Sequence, residues 1–125
     1  MRLLVLALVA FSLIVSPLSA GEGRYVVCDN GLRCVKAPCP SSTARNLDSG
    51  REFRGVFPDI GGLAKADRQR IRETDALYYG RLVLRGQIED RDREIAGKRQ
   101  RLPILVITGI DREAAADERR HCRAG

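Results

Sequence analysis

Tryptophan is absent from this chain of 125 residues, and methionine and histidine each occur once. Few aromatics remain: Tyr25, Phe53, Phe57, Tyr78 and Tyr79 beyond the first twenty residues. A platform for stacking single-stranded nucleic acid needs more of them beside its basic groups. The lone His121 has no second histidine to share a metal with. It stands among Arg119, Arg120 and Arg123, which reads as a solvated chain end. A Ser/His/Asp triad would have to recruit Ser41, Ser42 or Ser49, none of which lies in a nucleophile elbow. No Cys-x-x-Cys pair supplies a low-potential thiolate. No phosphate loop is present, since Gly61-Gly62 lacks the Lys-Ser/Thr that should follow. Carboxylates are plentiful but lie in mixed-charge stretches rather than in apolar surroundings that would raise a pKa. The reading is therefore of a non-catalytic protein, with no catalytic, cofactor-binding or metal-binding residue assigned.

The N-terminus carries a strong signal. Arg2 precedes an apolar run from Leu3 to Val15 broken only by Ser12, and Ser16-Pro17-Leu18-Ser19-Ala20 ends it with a helix breaker and a small residue. That is the build of a secretory signal peptide, and the run is short of the roughly 20 apolar residues of a membrane span. Residues 1–20 are read as the signal and 21–125 as one small domain, secreted or periplasmic, with no membrane span after cleavage. The formal charge is +6, and arginine supplies nearly all of it, the lysines being Lys36, Lys65 and Lys98. Arginine suits bidentate contact with phosphate or carboxylate, so Arg81, Arg85, Arg99 and Arg101 form a candidate polyanion-binding patch. Acidic residues are interleaved almost everywhere, as in Glu89-Asp90-Arg91-Asp92-Arg93-Glu94. That pattern describes a solvated mixed-sign surface and argues against nucleic acid as the main partner.

All four cysteines, Cys28, Cys34, Cys39 and Cys122, follow Ala20. An even number in a small exported chain reads as two disulfides. Zinc is the competing use, through Cys34-x4-Cys39 with His121 beside Cys122, but the compartment favours oxidation. Cys34–Cys39 closes a six-residue loop already bent by Pro38 and Pro40, which leaves Cys28 for Cys122. The alternative, Cys28–Cys39 with Cys34–Cys122, stays open. The loop also offers an interaction site at Lys36, Ala37 and Pro38. A segment pinned by a disulfide and prolines loses little entropy on docking, as in the reactive loop of a small serine-protease inhibitor.

Along the chain, Gly21–Gly23 reads as a flexible start and Arg24–Cys28 as a strand. Asn30-Gly31 is a hairpin signal, with Leu32–Val35 as the return strand. Ser42–Leu47 and Arg51–Phe57 read as strands, the second with Phe53, Gly55 and Phe57 on one face. Leu63–Tyr79 reads as the one main helix, ended by Gly80, with Asp67, Arg70, Arg72 and Glu73 as its surface ion pairs. Arg81–Ile88 is a strand and 89–102 an exposed, mobile, charged hairpin connection containing Gly97. Ile104–Ile110 is a strand with Pro103 at its start, and Asp111 caps a final helix, Arg112–Arg120. The fold expected is α+β, a mostly antiparallel sheet or partly open barrel. Its core comprises Tyr25, Val27, Phe53, Phe57, Leu63, Ile71, Leu77, Leu82, Leu84, Ile88, Ile104, Val106 and Ile110.

The order Tyr25-Val26-Val27, Arg33-Cys34, Pro38-Cys39, then a helix and Leu82-Val83-Leu84-Arg85-Gly86, resembles small exported bacterial domains of uncharacterised activity. These carry a Cys–Pro-Cys loop after the first strand. The resemblance implies a small α+β fold and adds no catalytic residue. The expected function is a binding or structural role toward a protein or cell-envelope partner, with protease inhibition second and polyanion binding third.

Overall fold

The computed structural model describes residues 22–122 together with Ser12; apart from Ser12, the signal-peptide reading lies outside the described residues. Five strands close into a barrel in the order β1-β2-β3-β5-β4. They are β1 (Glu22–Asp29), β2 (Ser42–Asn46), β3 (Glu52–Asp59), β4 (Gly80–Ile95) and β5 (Lys98–Glu113). All pairings are antiparallel except β3 with β5, where Phe57, Pro58 and Asp59 run alongside Ile104, Leu105 and Val106. The sheet is therefore closed, not partly open, and β1 begins at Glu22 where a flexible start was expected. Helices α1 (Lys65–Glu73) and α2 (Ala76–Tyr79) lie between β3 and β4. Among the described residues no helix is long and apolar enough to cross a membrane. Two disulfides, Cys28–Cys122 and Cys34–Cys39, brace the chain. Disulfides fit an oxidising environment.

Asn30-Gly31 does not make a hairpin. Asn30 instead pins both ends of a long β1–β2 loop. Its N–H donates to Ser41 O (2.8 Å), its Nδ2 to Pro40 O (2.9 Å), and its Oδ1 accepts from Leu32 N (2.9 Å). Leu32–Val35 lies in that loop, outside any strand. The two-residue hairpin is at Ala96-Gly97, both with positive φ (52° and 77°), as a tight hairpin turn requires. The charged stretch expected as a loose connection is thus ladder on both sides. Glu94 faces Arg99 and Asp92 faces Arg101, opposite charges directly across the strands.

The single helix expected over Leu63–Tyr79 breaks after Glu73. Thr74 Oγ1 bonds back to Arg70 O at 2.7 Å and Asp75 turns left-handed (φ 49°), a conformation that aspartate tolerates. None of the expected ion pairs forms on α1; Gln69 donates to Glu73 instead. Asp111 does not cap a helix either. It belongs to β5, and only a single 3-10 turn, Ala116–Arg119, follows.

Tyr25, Val27, Ala44, Val56, Leu63, Ile71, Ala76, Leu82, Leu84, Leu105 and Ile107 form the core, with Phe53, Ile60, Leu77, Ile88 and Ile110 packed against it. Three expected members, Phe57, Ile104 and Val106, fall outside. Gly55, at φ 85°, accompanies a register shift between β2 and β3. Such a bulge reverses the inward face: Phe53 points in, Val56 is buried, and Phe57 is turned out. In β5 the inward face belongs to Leu105 and Ile107, leaving Val106 half-buried. Ile104 is buried beside Phe57, on the outer face.

Candidate functional site

Among the described residues, chemistry-bearing side chains gather at the β1–β2 loop, along the C-terminal strap and in a cavity beside β3. The first is the β1–β2 loop. Lys36 and Ala37 are exposed and Pro38 half-buried in the turn closed by Cys34–Cys39, while Val35 is fully open to solvent and Leu32 partly so. Arg33 reaches Asp29 at 3.1 Å, which ties the loop's first limb to β1.

The second is the C-terminal strap. After β5, Glu118 accepts a two-pronged contact from Arg112 (2.6 and 2.8 Å) and the Ala115 N–H (2.9 Å). Hydrogen bonding of this kind holds its carboxyl down at about 2. Arg119 donates to Tyr79 O (2.9 Å), and the His121 ring Nε2 meets Val26 O at 3.0 Å. Cys122 then bonds Cys28, and its sulfur packs with Val26 and Cys28 around Gly80. His121 is thus half-buried under the barrel wall, not a solvated chain end. Burial lowers its pKa, and Arg45 adds to this against the Val26 hydrogen bond and the Glu52 charge. Cys28, His121 and Cys122 are close enough to share a metal ion, but both sulfurs are committed to the disulfide.

This strap has a defined pH response. His121 is a base whose folded pKa lies below its ordinary 6.5, so the unfolded chain takes up the proton first. Its contribution is complete above about pH 6.5 and is lost as the pH falls below that value. Glu118 is an acid with a depressed pKa. Its contribution is present above 4.5 and lost as the pH falls toward about 2. Urea midpoints measured from pH 8 to pH 3 will therefore drop in two stages. His121→Gln will flatten the upper stage, and Glu118→Gln will reduce the lower, to which Asp48, held down by its hydrogen bonds from Arg24, also contributes. An unchanged upper stage in His121→Gln would show that the imidazole does not carry it.

The third place is a cavity of about 490 Å³ where the end of β3, the start of the helical segment and the far half of the β4–β5 hairpin meet. Phe57, Pro58, Ile60, Ile95, Leu102 and Ile104 give it an apolar lining, and Arg68, Arg72, Arg93, Asp59 and Glu94 its polar groups. The local reasons are clear. The Gly55 bulge turns Phe57 outward beside its ladder partner Ile104, and Leu102 shares that face by strand alternation. Arg68 and Arg72, one turn apart on α1, share a helix face. Arg68 Nη1 is anchored to Leu63 O (3.0 Å) and Gly61 O (3.5 Å). Asp59 accepts from Gly61 N (2.8 Å) and lies 3.6 and 3.7 Å from Arg91 and Arg93. Its volume is that of a small-molecule site.

The candidate arginine patch is divided by the ladder. Arg85 lies opposite Gly109, its guanidinium across that glycine, and Arg81 stacks 4.7 Å over the Tyr79 ring. Arg101 is eight positions from Gly109 along β5, roughly 26 Å at ~3.3 Å per residue, and Arg99 lies further still. Arg101 also faces Asp92 at 3.8 Å. The four arginines do not converge, whereas Arg68, Arg72 and Arg93, which no sequence motif singled out, do. Nothing in the sequence joined the segments that meet here. No family model matches the chain, and no curated protein and no solved structure matches it either.

Proposed function

We propose that this chain is a non-catalytic binding domain of an oxidising, extracytoplasmic compartment, which holds a small ligand between α1 and the β4–β5 hairpin. The observation that carries the reading is the cavity of about 490 Å³ with an apolar lining and convergent arginines. Pockets of ordinary ligand size join an apolar wall to a few placed polar groups in this way. Architecture supports the position. The strand order, with a helical segment between β3 and β4, is that of the OB-type Greek-key barrel. Such barrels bind oligonucleotides and oligosaccharides around strands 2 and 3 and the loops between strands 1–2 and 4–5. The cavity adjoins strand 3 and the 4–5 hairpin. That argument is an analogy of fold and does not name a ligand. The non-catalytic part rests on chemistry: the one histidine is bonded to Val26 O on the strap, and Asp59 is neutralised by arginines.

A fragment library screened by ligand-observed NMR tests this. Hits should shift the amides of 57–61 and 93–104 and be lost in Leu102→Trp, which fills the cavity from its wall. Hits that map elsewhere and survive Leu102→Trp would refute the pocket. Protease inhibition is the second reading, favoured by Val35 and Lys36 standing clear of the barrel on a loop anchored at both ends by Asn30. Inhibition of a trypsin-like protease, lost in Lys36→Ala, would establish it in place of the first.

A further inference from the structure

We infer that the ligand of this pocket is a small amphipathic carboxylate, its apolar body on Phe57, Ile60, Leu102 and Ile104 and its acid group on Arg68 and Arg72; this rests on the pocket reading above. The charges on the cavity's wall do not cancel. Arg68 spends one nitrogen on backbone carbonyls, and no carboxylate lies within ion-pair distance of either Arg68 or Arg72 among the described residues. Asp59, the carboxylate on the β3 side, is already shared by Arg91 and Arg93. Glu94 is the one acidic group of the wall with no arginine in ion-pair range, although Arg99 faces it in the ladder. Two guanidinium groups one helical turn apart, beside an apolar wall, match a planar anion that can accept paired N–H bonds. A neutral ligand would leave both without an anionic partner. A polyanion would need positive charge continuing past the cavity mouth, where the hairpin instead mixes the signs: Asp92 lies 3.8 Å from Arg101 and Glu94 stands opposite Arg99 in the ladder.

The probes are 2-naphthoate and octanoate, each against its neutral amide, 2-naphthamide and octanamide, with acetate as the head group alone. Binding is followed by amide shifts at 57–61 and 93–104. The acid should bind at least tenfold more tightly than its amide, and acetate should shift nothing. Whichever acid binds better tells whether the body is aromatic or aliphatic. Arg72→Gln, an exposed helix position that should not disturb folding, should erase the acid-over-amide ratio while leaving the amide's affinity in place. Glu94→Gln should raise the affinity for the acid. Raised salt should weaken the acid and leave the amide alone. Equal binding of acid and amide at the pocket, or an unchanged ratio in Arg72→Gln, would overturn the carboxylate while leaving the pocket standing. Silence of the pocket amides to all four probes would remove the pocket, and this inference with it.

Discussion

Replacing Cys28 and Cys122 together with alanine will cost about twice as much stability as replacing Cys34 and Cys39. The two bridges span 94 and 5 positions of sequence. In the chain-entropy description of cross-links, closures of that length restrict the unfolded chain by about 4.7 and about 2.2 kcal/mol. The long bridge does a second job in the folded state, because it holds the strap that brings His121 to Val26 and Arg119 to Tyr79. Its loss should therefore also speed exchange of amides in β1 and at the start of β4, while the barrel's far side is unaffected. Alanine suits Cys28, which is fully buried, because it adds no polar group to the wall. Urea denaturation of the two double variants reads the difference directly. Equal losses would mean that the C-terminal strap is not anchored as described.

Gly86→Ala will be among the most damaging single-methyl additions to this barrel. A Cβ there would lie 2.4 Å from Val106 O and within 3.3 Å of the Val106 and Ile107 backbone. The obstacle is the neighbouring strand itself, at a register shift between Arg85 and Gly86, so neither strand can yield without breaking the ladder. Overpacking of this kind costs about 1–3 kcal/mol, and backbone obstacles fall at the upper end. Gly109→Ala is the matched control. The three atoms nearest its Cβ all belong to the Arg85 guanidinium, which can swing away into solvent, so its effect should be close to neutral. If urea midpoints rank Gly109→Ala as the worse of the two, the close approach of β4 to β5 at the bulge is wrong.

The sequence alone determined several things about this protein. Signals that depend on local chemistry are legible in it: the Gly80 helix stop and the strand character of 24–28 and 104–110. Where several conformations satisfy the same local pattern, the barrel chose. Asn30-Gly31 and Ala96-Gly97 both can turn a chain; the first became a loop because Asn30 could bond Pro40 and Ser41, and the second a hairpin because opposite charges on 89–102 fall into register. An unbroken apolar run such as Ile104–Ile107 has no alternation to show which side faces in. Its parity was set by pairing with β3 and by the register shifts against β4, whose extra residues are Thr108 and Asp111 of β5. One bulge, at Gly55, decided the pocket, since it turned Phe57 from an expected core position to the outer wall beside Ile104. The pocket's members come from β3, α1, β4 and β5, segments that meet only when the barrel closes. Their arginines were visible in the chain from the start, but convergence is a property of tertiary structure and leaves no mark on spacing.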